Sequence, residues 1–248
     1  FASTNVGPYL LLHAVQGAYY WKAFGKHGAL HNPYTYGYFD HAPHANPQGG
    51  HVTVGGQVYR GNTYPQEFWG KYIGANLLAH TVQYSAIIQD GSTYKTALLG
   101  NFLDSHDTWF APSDVITGPD GCIYVADWHD RRTAHPDPDA EWDRSNGRIY
   151  RAAYEAMKPL SPFNLRELES GKLVAMLEHP NAWFRRRARV LLAERRDASV
   201  IAPLRDAVLS PRSPQHALES LWALHVSGGF DAALAEALMD SEDANLRR

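Results

Sequence analysis

The feature that most constrains this chain is a sharp change of composition near residue 155. All 14 tyrosines lie at or before Tyr154, and 17 of the 20 glycines precede residue 155. Aromatic residues and glycine-rich turns are typical of many short strands. Beyond Pro162 the sequence is rich in Ala, Leu, Arg and Glu, which favour helices. The composition therefore predicts a strand-rich domain followed by a helical one.

A short proline-containing segment separates the two predicted domains. Pro159 and Pro162 lie in the sequence Lys-Pro-Leu-Ser-Pro at 158–162, and proline interrupts helices and suits a linker. We expect a strand domain over residues 1–155, a linker over 156–163 and a helical domain over 164–248.

Turn chemistry divides the first domain into short strands. Pro119-Asp120-Gly121 is a turn sequence, because Pro fixes φ and Gly tolerates positive φ. A strand is expected over 123–126, ended by Asp127, and another over 147–151. Such a rhythm is typical of a sandwich, a barrel or a propeller, and periodicity alone does not choose among them.

The second domain contains a repeated helical pattern. Apolar residues recur at helical spacing, and Leu177, Leu209 and Leu238 occupy equivalent places in three successive units. Paired helices at this period indicate an α-solenoid. Because Arg248 falls inside the third unit and the chain opens at Phe1 without a leader, we expect a piece of a longer polypeptide.

Composition excludes several classes of protein. The formal net charge of −3 does not fit the basic footprint of a nucleic-acid-binding protein. No apolar run reaches the roughly 18 residues of a membrane span. The single Cys122 excludes an internal disulfide framework and a C-x-x-C-H haem attachment motif in this segment.

Several motifs of the first domain resemble a known family. They are Trp109-Phe110-x-Pro112-x-Asp114-Val115, Gly118-Pro119-Asp120-Gly121-x-Ile123-Tyr124-Val125-Ala126-Asp127-Trp128, Trp142-Asp143-Arg144-x-x-Gly147-Arg148-Ile149-Tyr150-Arg151, His13-x-Val15-Gln16-Gly17 and Tyr59-Arg60-Gly61-x-x-Tyr64-Pro65. This order resembles the C-terminal part of the quinoprotein β-propellers related to soluble glucose and sorbosone dehydrogenases. It resembles more closely the large exported "membrane-bound dehydrogenase" proteins of planctomycetes and verrucomicrobia. The second domain resembles their HEAT repeats.

The resemblance implies a partial β-propeller, its C-terminal blades, followed by a HEAT-like α-solenoid. It implies oxidation of a sugar or related alcohol with pyrroloquinoline quinone (PQQ) and Ca²⁺, electron transfer to a cytochrome, and a periplasmic or otherwise exported location. It also implies that the family's catalytic histidine and most quinone contacts lie upstream of Phe1, and that haem belongs only to a domain downstream of Arg248.

Eight residues of the first domain are candidates for such chemistry. A histidine could take the hydroxyl proton, arginine forks and an indole could hold a quinone, and carboxylates could ligate Ca²⁺. These candidates are His13, His106 and His129 as catalytic bases, Arg131, Arg148 and Trp128 as cofactor-binding residues, and Asp127 and Asp130 as metal ligands. For each, an ordinary turn, surface or packing role is the alternative.

Two other functions remain open from the sequence. A propeller and solenoid could bind carbohydrate or protein without catalysis. Asp40, His41, His44 and His51 share a loop that could hold a transition metal for hydrolysis, although their spacing matches no strong metal signature. In the second domain, Arg185 to Arg189 are expected on a solvated helix face.

Overall fold

The computed structural model describes residues 2–6, 9–15, 17–20, 37–39, 53–91, 93–131, 143, 145–155, 157 and 159–247. The chain divides into two compact units, Phe1–Met157 and Lys158–Arg248. The first unit consists of strands and the second of helices, and each is described by itself.

Two small sheets begin the first unit. Strands β1 (Ala2–Val6) and β2 (Tyr9–Leu12) pair antiparallel. Strands β3 (Ala18–Tyr20) and β4 (Gly37–Phe39) pair parallel.

Two larger antiparallel sheets follow. The first is a four-stranded meander of β5 (Thr53–Val58), β6 (Tyr72–Asn76), β7 (Thr81–Asp90) and β8 (Thr93–Asp104). The second contains β9 (Pro112–Thr117), β10 (Ile123–Asp127) and β11 (Arg148–Ala152), with β10 in the middle. A short 3₁₀ helix, Gln66–Phe68, lies between β5 and β6.

The two larger sheets share one apolar core. Side chains alternate across a strand, so Ile73 and Ala75 of β6 face one side and pack in a cluster with Val115, Ile123 and Val125. On the other side Tyr72 packs with Leu11 and Ile87. Burying each large aliphatic side chain contributes about 1.5–3 kcal/mol. Strand β6 is therefore buried on both faces.

Two tyrosines fasten the turn between β9 and β10. The Tyr59 hydroxyl donates to the Gly121 carbonyl (2.9 Å) and accepts the Thr63 amide (3.1 Å). The Tyr64 hydroxyl accepts the Ile123 amide (2.7 Å). Burial raises the pKa of both phenols, so both stay neutral donors. This arrangement, the tyrosine clasp, joins the β5–β6 connection to the β9–β10 turn.

The other side of that turn is held by charged and sulfur-containing side chains. The Asp120 carboxylate accepts from the Cys122 amide (3.0 Å), the Tyr124 hydroxyl (2.9 Å) and Arg151 Nε (2.7 Å). Burial alone would raise the pKa of Asp120, but these three hydrogen bonds lower it below its usual range. Cys122 is fully buried, and its thiol donates to Met157 Sδ at 3.0 Å.

The second unit is a helical region. Its helices are α1 (Ser170–Ala175), α2 (Ala182–Arg195), α3 (Ile201–Leu209), α4 (Pro214–Val226) and α5 (Ala232–Met239). Three 3₁₀ helices, Leu165–Glu167, Met176–Glu178 and Ala198–Val200, precede or join them. Side-chain caps start several helices, since Asn181 accepts from Trp183, Ser213 from His216 and Asp231 from Leu234.

Two details of the helical unit differ from the sequence prediction. Leu177 and Leu238 are buried, but Leu209 is 53% exposed and Val208 takes the buried place. Arg185 is not solvated but buried, and its Nε donates to Glu219 Oε1 at 3.0 Å. Arg189 also pairs with Glu219. Arg185 and Arg189 therefore join α2 to α4, while Arg186 is exposed as expected.

At the coarse level the predicted fold class is confirmed: antiparallel sheets come first and helices follow. The described residues show no closed propeller. Within the part of the chain that the structure describes, no helix is both long and apolar enough to cross a bilayer.

Candidate functional site

A repeated four-residue motif marks one edge of the larger sheets. Strand β8 ends at Asp104, the first residue of the sequence Asp-Ser-His-Asp (104–107). Strand β10 ends at Asp127, the first residue of Asp-Trp-His-Asp (127–130). In both, Oδ1 of the first aspartate accepts the backbone amide of the histidine, at 3.0 Å for His106 and 2.7 Å for His129. The two motifs lie at the same edge, because the loop 105–111 leads from the end of β8 to the start of β9, beside the end of β10.

Three histidines at this edge have left-handed backbones. His106 has φ +54° and His129 has φ +57°. His80, with φ +56°, directly precedes Thr81, which pairs with Asp104. Such conformations are uncommon for residues other than glycine and cluster at functional sites. This edge is therefore the candidate site.

The His129 ring lies between two carboxylates. Its Nδ1 is 3.7 Å from Asp127 Oδ2, and its Nε2 is 4.0 Å from Asp143 Oδ2. The Asp127 side chain is 1% exposed and the Asp143 side chain 32% exposed. Nδ1 therefore faces the interior, and Nε2 faces the more solvated carboxylate.

An indole covers one face of His129. The Trp109 ring stacks on the imidazole with centroids 5.6 Å apart and planes 24° from parallel. The Trp109 amide donates to Asp107 Oδ1 (2.8 Å), so the first motif helps to place the ring that covers the second. A stacked indole favours a cationic partner, which suits a base that gains a proton.

Further hydrogen bonds hold the chain next to Trp109. His80 Nδ1 lies 2.7 Å from the Phe110 carbonyl, which makes Nδ1 the donor. The Ala111 amide donates to Asp127 Oδ1 (2.8 Å), and the Ala111 carbonyl accepts the Trp128 amide (2.9 Å). These hydrogen bonds hold the backbone that follows Trp109.

Asp143 is held in its ionised form. It accepts from the Ser145 hydroxyl (2.6 Å), the Ser145 amide (2.9 Å) and Asn146 Nδ2. These hydrogen bonds, with a smaller attraction from His129, lower the pKa of Asp143 to about 2. At neutral pH it is a carboxylate that only accepts hydrogen bonds.

Two buried polar atoms of the site lack an ordinary hydrogen bond. Among the described residues, Asp127 Oδ2 and His129 Nδ1 have no partner within hydrogen-bonding distance. Buried polar groups are normally satisfied, and these two face each other at 3.7 Å. The arrangement can orient an imidazole, with Asp127 facing one nitrogen and the other nitrogen left to accept a proton.

The proposed quinone and Ca²⁺ residues lie around this centre. Trp128 follows β10 and is 55% exposed, while Asp130 is buried. Arg148 pairs with Asp127 in the strand register, and its guanidinium donates to the Asn146 carbonyl and side-chain oxygens. Arg131 is exposed.

The other two histidine candidates have different surroundings. The His106 side chain is 88% exposed, and its Nδ1 lies 3.3 Å from Asp104 Oδ1. His13 packs edge-on against Tyr94. Tyr94 is ten residues along β8 from Asp104, which is roughly 30 Å at the rise of a strand. The structure therefore brings His106 and His129 to one edge and places His13 at the other end of β8.

No metal cluster is seen among the described residues: none of their His, Cys, Asp and Glu side chains form a group of three or more that could hold an ion. The loop hypothesis for Asp40, His41, His44 and His51 lies outside the described residues.

A family model, Domain of unknown function (DUF7133), matches residues 33–156. The chain belongs to this family. The DUF7133 match covers the four-stranded meander, the β9–β11 sheet and both Asp-x-His-Asp motifs. No curated protein and no solved structure matches the chain.

Sequence reasoning missed two features of the candidate site. His80 was not a candidate, because no neighbouring motif marks it, and its role depends on a contact with Phe110 thirty residues away. The stack of Trp109 on His129 was also missed. The repetition of Asp-x-His-Asp is the signal that could have connected residues 104–107 with 127–130.

Proposed function

We propose that this DUF7133 protein is part of an exported quinoprotein-like dehydrogenase that oxidises a sugar or related alcohol and passes electrons to a cytochrome. In this proposal the sheets are propeller blades and the helical unit is a HEAT-like solenoid. The single observation that carries the proposal is the His129 ring, stacked on Trp109 and flanked by Asp127 and Asp143. The family resemblance of the surrounding motifs supports it.

His129 is the base of the proposed reaction. Asp127 faces Nδ1 from the interior and favours the tautomer with its proton there, which leaves the Nε2 lone pair toward the solvated side. A substrate hydroxyl at Nε2 gives its proton to that nitrogen as the alcohol is oxidised. The two carboxylates stabilise the resulting imidazolium by opposite charge.

The described residues include side-chain types that suit PQQ, namely arginines for its carboxylates and an indole for its ring system. Arg148 and Arg131 would bind quinone carboxylates, and the exposed face of Trp128 would stack on the ring system. When bound, PQQ supplies the acceptor for the substrate's electrons. Asp130 would ligate Ca²⁺ together with oxygens from outside the described residues. Asp127 does not fit as a second ligand, because its Oδ1 accepts two backbone amides and its Oδ2 faces His129 Nδ1.

The first test is calorimetric titration of PQQ into the protein with and without Ca²⁺, followed by sugar oxidation with a dye acceptor. We expect saturable, Ca²⁺-dependent binding. His129→Asn keeps a residue that tolerates a left-handed backbone, and we expect it to bind quinone but to lose about 10²-fold or more in turnover.

His106→Asn is the matched comparison, because His106 has the same motif and nearly the same φ. We expect its loss of turnover to be much smaller. Absence of quinone binding by the folded protein would contradict the dehydrogenase. A larger loss of turnover in His106→Asn than in His129→Asn would show that His106, and not His129, is the base.

A non-catalytic carbohydrate-binding module is the second candidate. Trp128 at 55% exposure beside a carboxylate-rich edge favours it, since aromatic faces and hydrogen-bond acceptors suit sugar rings. Sugar binding that depends on Trp128 but is unchanged in His129→Asn, without quinone binding, would select this function.

A further inference from the structure

A pocket opens between the last two helices of the helical unit. Its volume is about 590 Å³, and its walls are the second half of α4, the second half of α5 and residues 246–247. Eight of the ten described residues that line it are apolar, and the other two are His225 and Arg247. Cavities of roughly 300–1,000 Å³ with mainly apolar walls are typical of small-molecule sites.

Two aromatic side chains of this pocket are open to solvent but held in place. Trp222 is 44% exposed, and the Arg189 guanidinium lies over its ring, 5.1 Å from the centroid. Phe230 is 42% exposed, and its ring meets that of His225 at a steep angle, with centroids 5.8 Å apart. Apolar side chains that are exposed together in a concave site mark a binding surface, whereas scattered ones do not. The pocket therefore has preformed aromatic walls.

The dimensions of the pocket suit a small molecule better than a helix of another protein. The walls Leu221–Val226 and Ala235–Met239 are each about 7–9 Å long at the rise of an α-helix. A helix bound in a groove uses anchors from i to i+7, which span about 10 Å. Leu246 also packs against the helical core, and its amide donates to the Asp243 carbonyl (3.0 Å), so the chain bounds the pocket there.

The charges around the pocket favour an uncharged ligand. None of the described residues that line it is acidic, so a cation would find no counter-charge and would lie near Arg247. The Arg247 guanidinium already donates to the carbonyls of Ser241 and Glu242, so it is not available to an anion. Asp240, Glu242 and Asp243 lie in the segment between α5 and Arg247 and would repel an anion.

We propose that this pocket binds an uncharged, ring-containing apolar small molecule. The faces of Trp222 and Phe230 would contact its rings, since aromatic side chains bury a large apolar area. Met239, which is 64% exposed, would adapt to its shape, because a thioether side chain is flexible and polarisable. Such a site lies wholly in the helical unit and does not depend on the dehydrogenase reaction.

The test is a fluorescence titration of the whole chain with phenylnaphthylamine and with anilinonaphthalene sulfonate. The two probes share one ring skeleton, and only the second carries a charge. We expect the uncharged probe to bind saturably at one site, with an affinity about tenfold higher than that of the sulfonate. Ala235→Phe places a ring inside the pocket and should weaken binding of the uncharged probe by about tenfold.

Ala237→Phe is the matched control, because it makes the same change at an exposed position of α5 that does not line the pocket. It should leave the affinity unchanged. Met239→Gln provides a second variant if Ala235→Phe does not fold, since Met239 is largely exposed. We expect it to weaken binding of the uncharged probe by about threefold.

Three results would overturn the proposal. Equal affinity for the two probes would reject an uncharged ligand. Binding that neither Ala235→Phe nor Met239→Gln weakens would place the probe elsewhere, and no binding would reject the site. Sedimentation provides the remaining check: a dimer that Ala235→Phe dissociates would assign this surface to a second copy of the chain, and a monomer at all concentrations supports the small-molecule site.

Discussion

Three histidine backbones are the unusual feature at the scale of single residues. His80, His106 and His129 all have positive φ at one edge of the sheets. Asp127 and Asp130 were candidates because they end or follow a strand, and His129 because it lies beside acidic residues, whereas the Asp-x-His-Asp repeat around His106 and His129 was not used. The sequence does not reveal this conformation, because histidine adopts a positive φ more often than most residues but still uncommonly. The local hydrogen bonds from the amides of His106 and His129 to the aspartate two residues earlier become visible only in the structure.

Gly121 provides a test of the β9–β10 turn. Its φ is +75°, and an added Cβ would lie 2.2 Å from Thr63 Oγ1. Gly91 has a similar φ of +60° with open space around the same position. We expect Gly91→Ala to cost about 1–2 kcal/mol from backbone strain and Gly121→Ala distinctly more, because Thr63 must also move. Urea unfolding measures both, and equal costs would contradict the clash.

Asp143 predicts a pH dependence of stability. Its pKa falls from 3.8 to about 2 on folding, so the folded state favours the carboxylate. This contribution is present above pH 3.8 and is lost as the pH falls toward 2. We expect Asp143→Asn to lose less stability than the natural protein over that window in urea unfolding. Parallel curves for the two proteins would reject this assignment.

At the scale of strands and helices, local sequence patterns predicted where some elements lie. They did not predict where each element ends or which other element it packs against. The turn Pro119-Asp120-Gly121 and the strand after it were found because their chemistry is local. Residues 74–82 contain no proline and a single glycine, yet β6 ends and β7 begins within them, on either side of a turn over 77–80. Arg185 was misplaced because its partner, Glu219, lies on another helix.

Glu219 provides a test of the α2–α4 contact. Its carboxylate is 5% exposed and pairs with Arg185 and Arg189. We expect Glu219→Gln to cost about 3–5 kcal/mol, because two largely buried arginines lose their counter-charge. Glu194→Gln, in the exposed pair with Arg166, should cost at most about 1 kcal/mol. Chemical denaturation measures the free energy of unfolding of both variants. Similar losses would show that the buried Glu219 pairs stabilise the protein no more than the exposed Glu194–Arg166 pair does.

At the scale of the whole molecule, the two units have separate apolar cores. One core joins the sheets and the other joins the helices. We therefore expect two thermal transitions in calorimetry, with Gly121→Ala lowering one and Glu219→Gln lowering the other. A single transition shifted by both substitutions would show that the units unfold together.

The predicted order of a sheet-rich part followed by a helical part is confirmed, but the described residues show no closed propeller. Composition predicts a sheet-rich part and a helical part, because residue preferences sum over long windows. Whether blades close into a ring depends on contacts between distant sheets, and no composition or period encodes those. The same holds for His80 and Phe110, whose contact appears only when two sheets meet.

Because the Cys122 thiol is buried, the rate at which it is alkylated reports how often the structure around it opens. Burial raises the pKa of this sole cysteine, with a further contribution from Asp120, so the reactive thiolate is scarce while the tyrosine clasp is closed. Alkylation should therefore proceed only as fast as the β9–β10 turn opens. Tyr64→Phe removes the hydroxyl that holds the Ile123 amide, so we expect Cys122 to be labelled faster. Mass spectrometry measures this rate and so reports local opening of the β9–β10 turn in the folded protein.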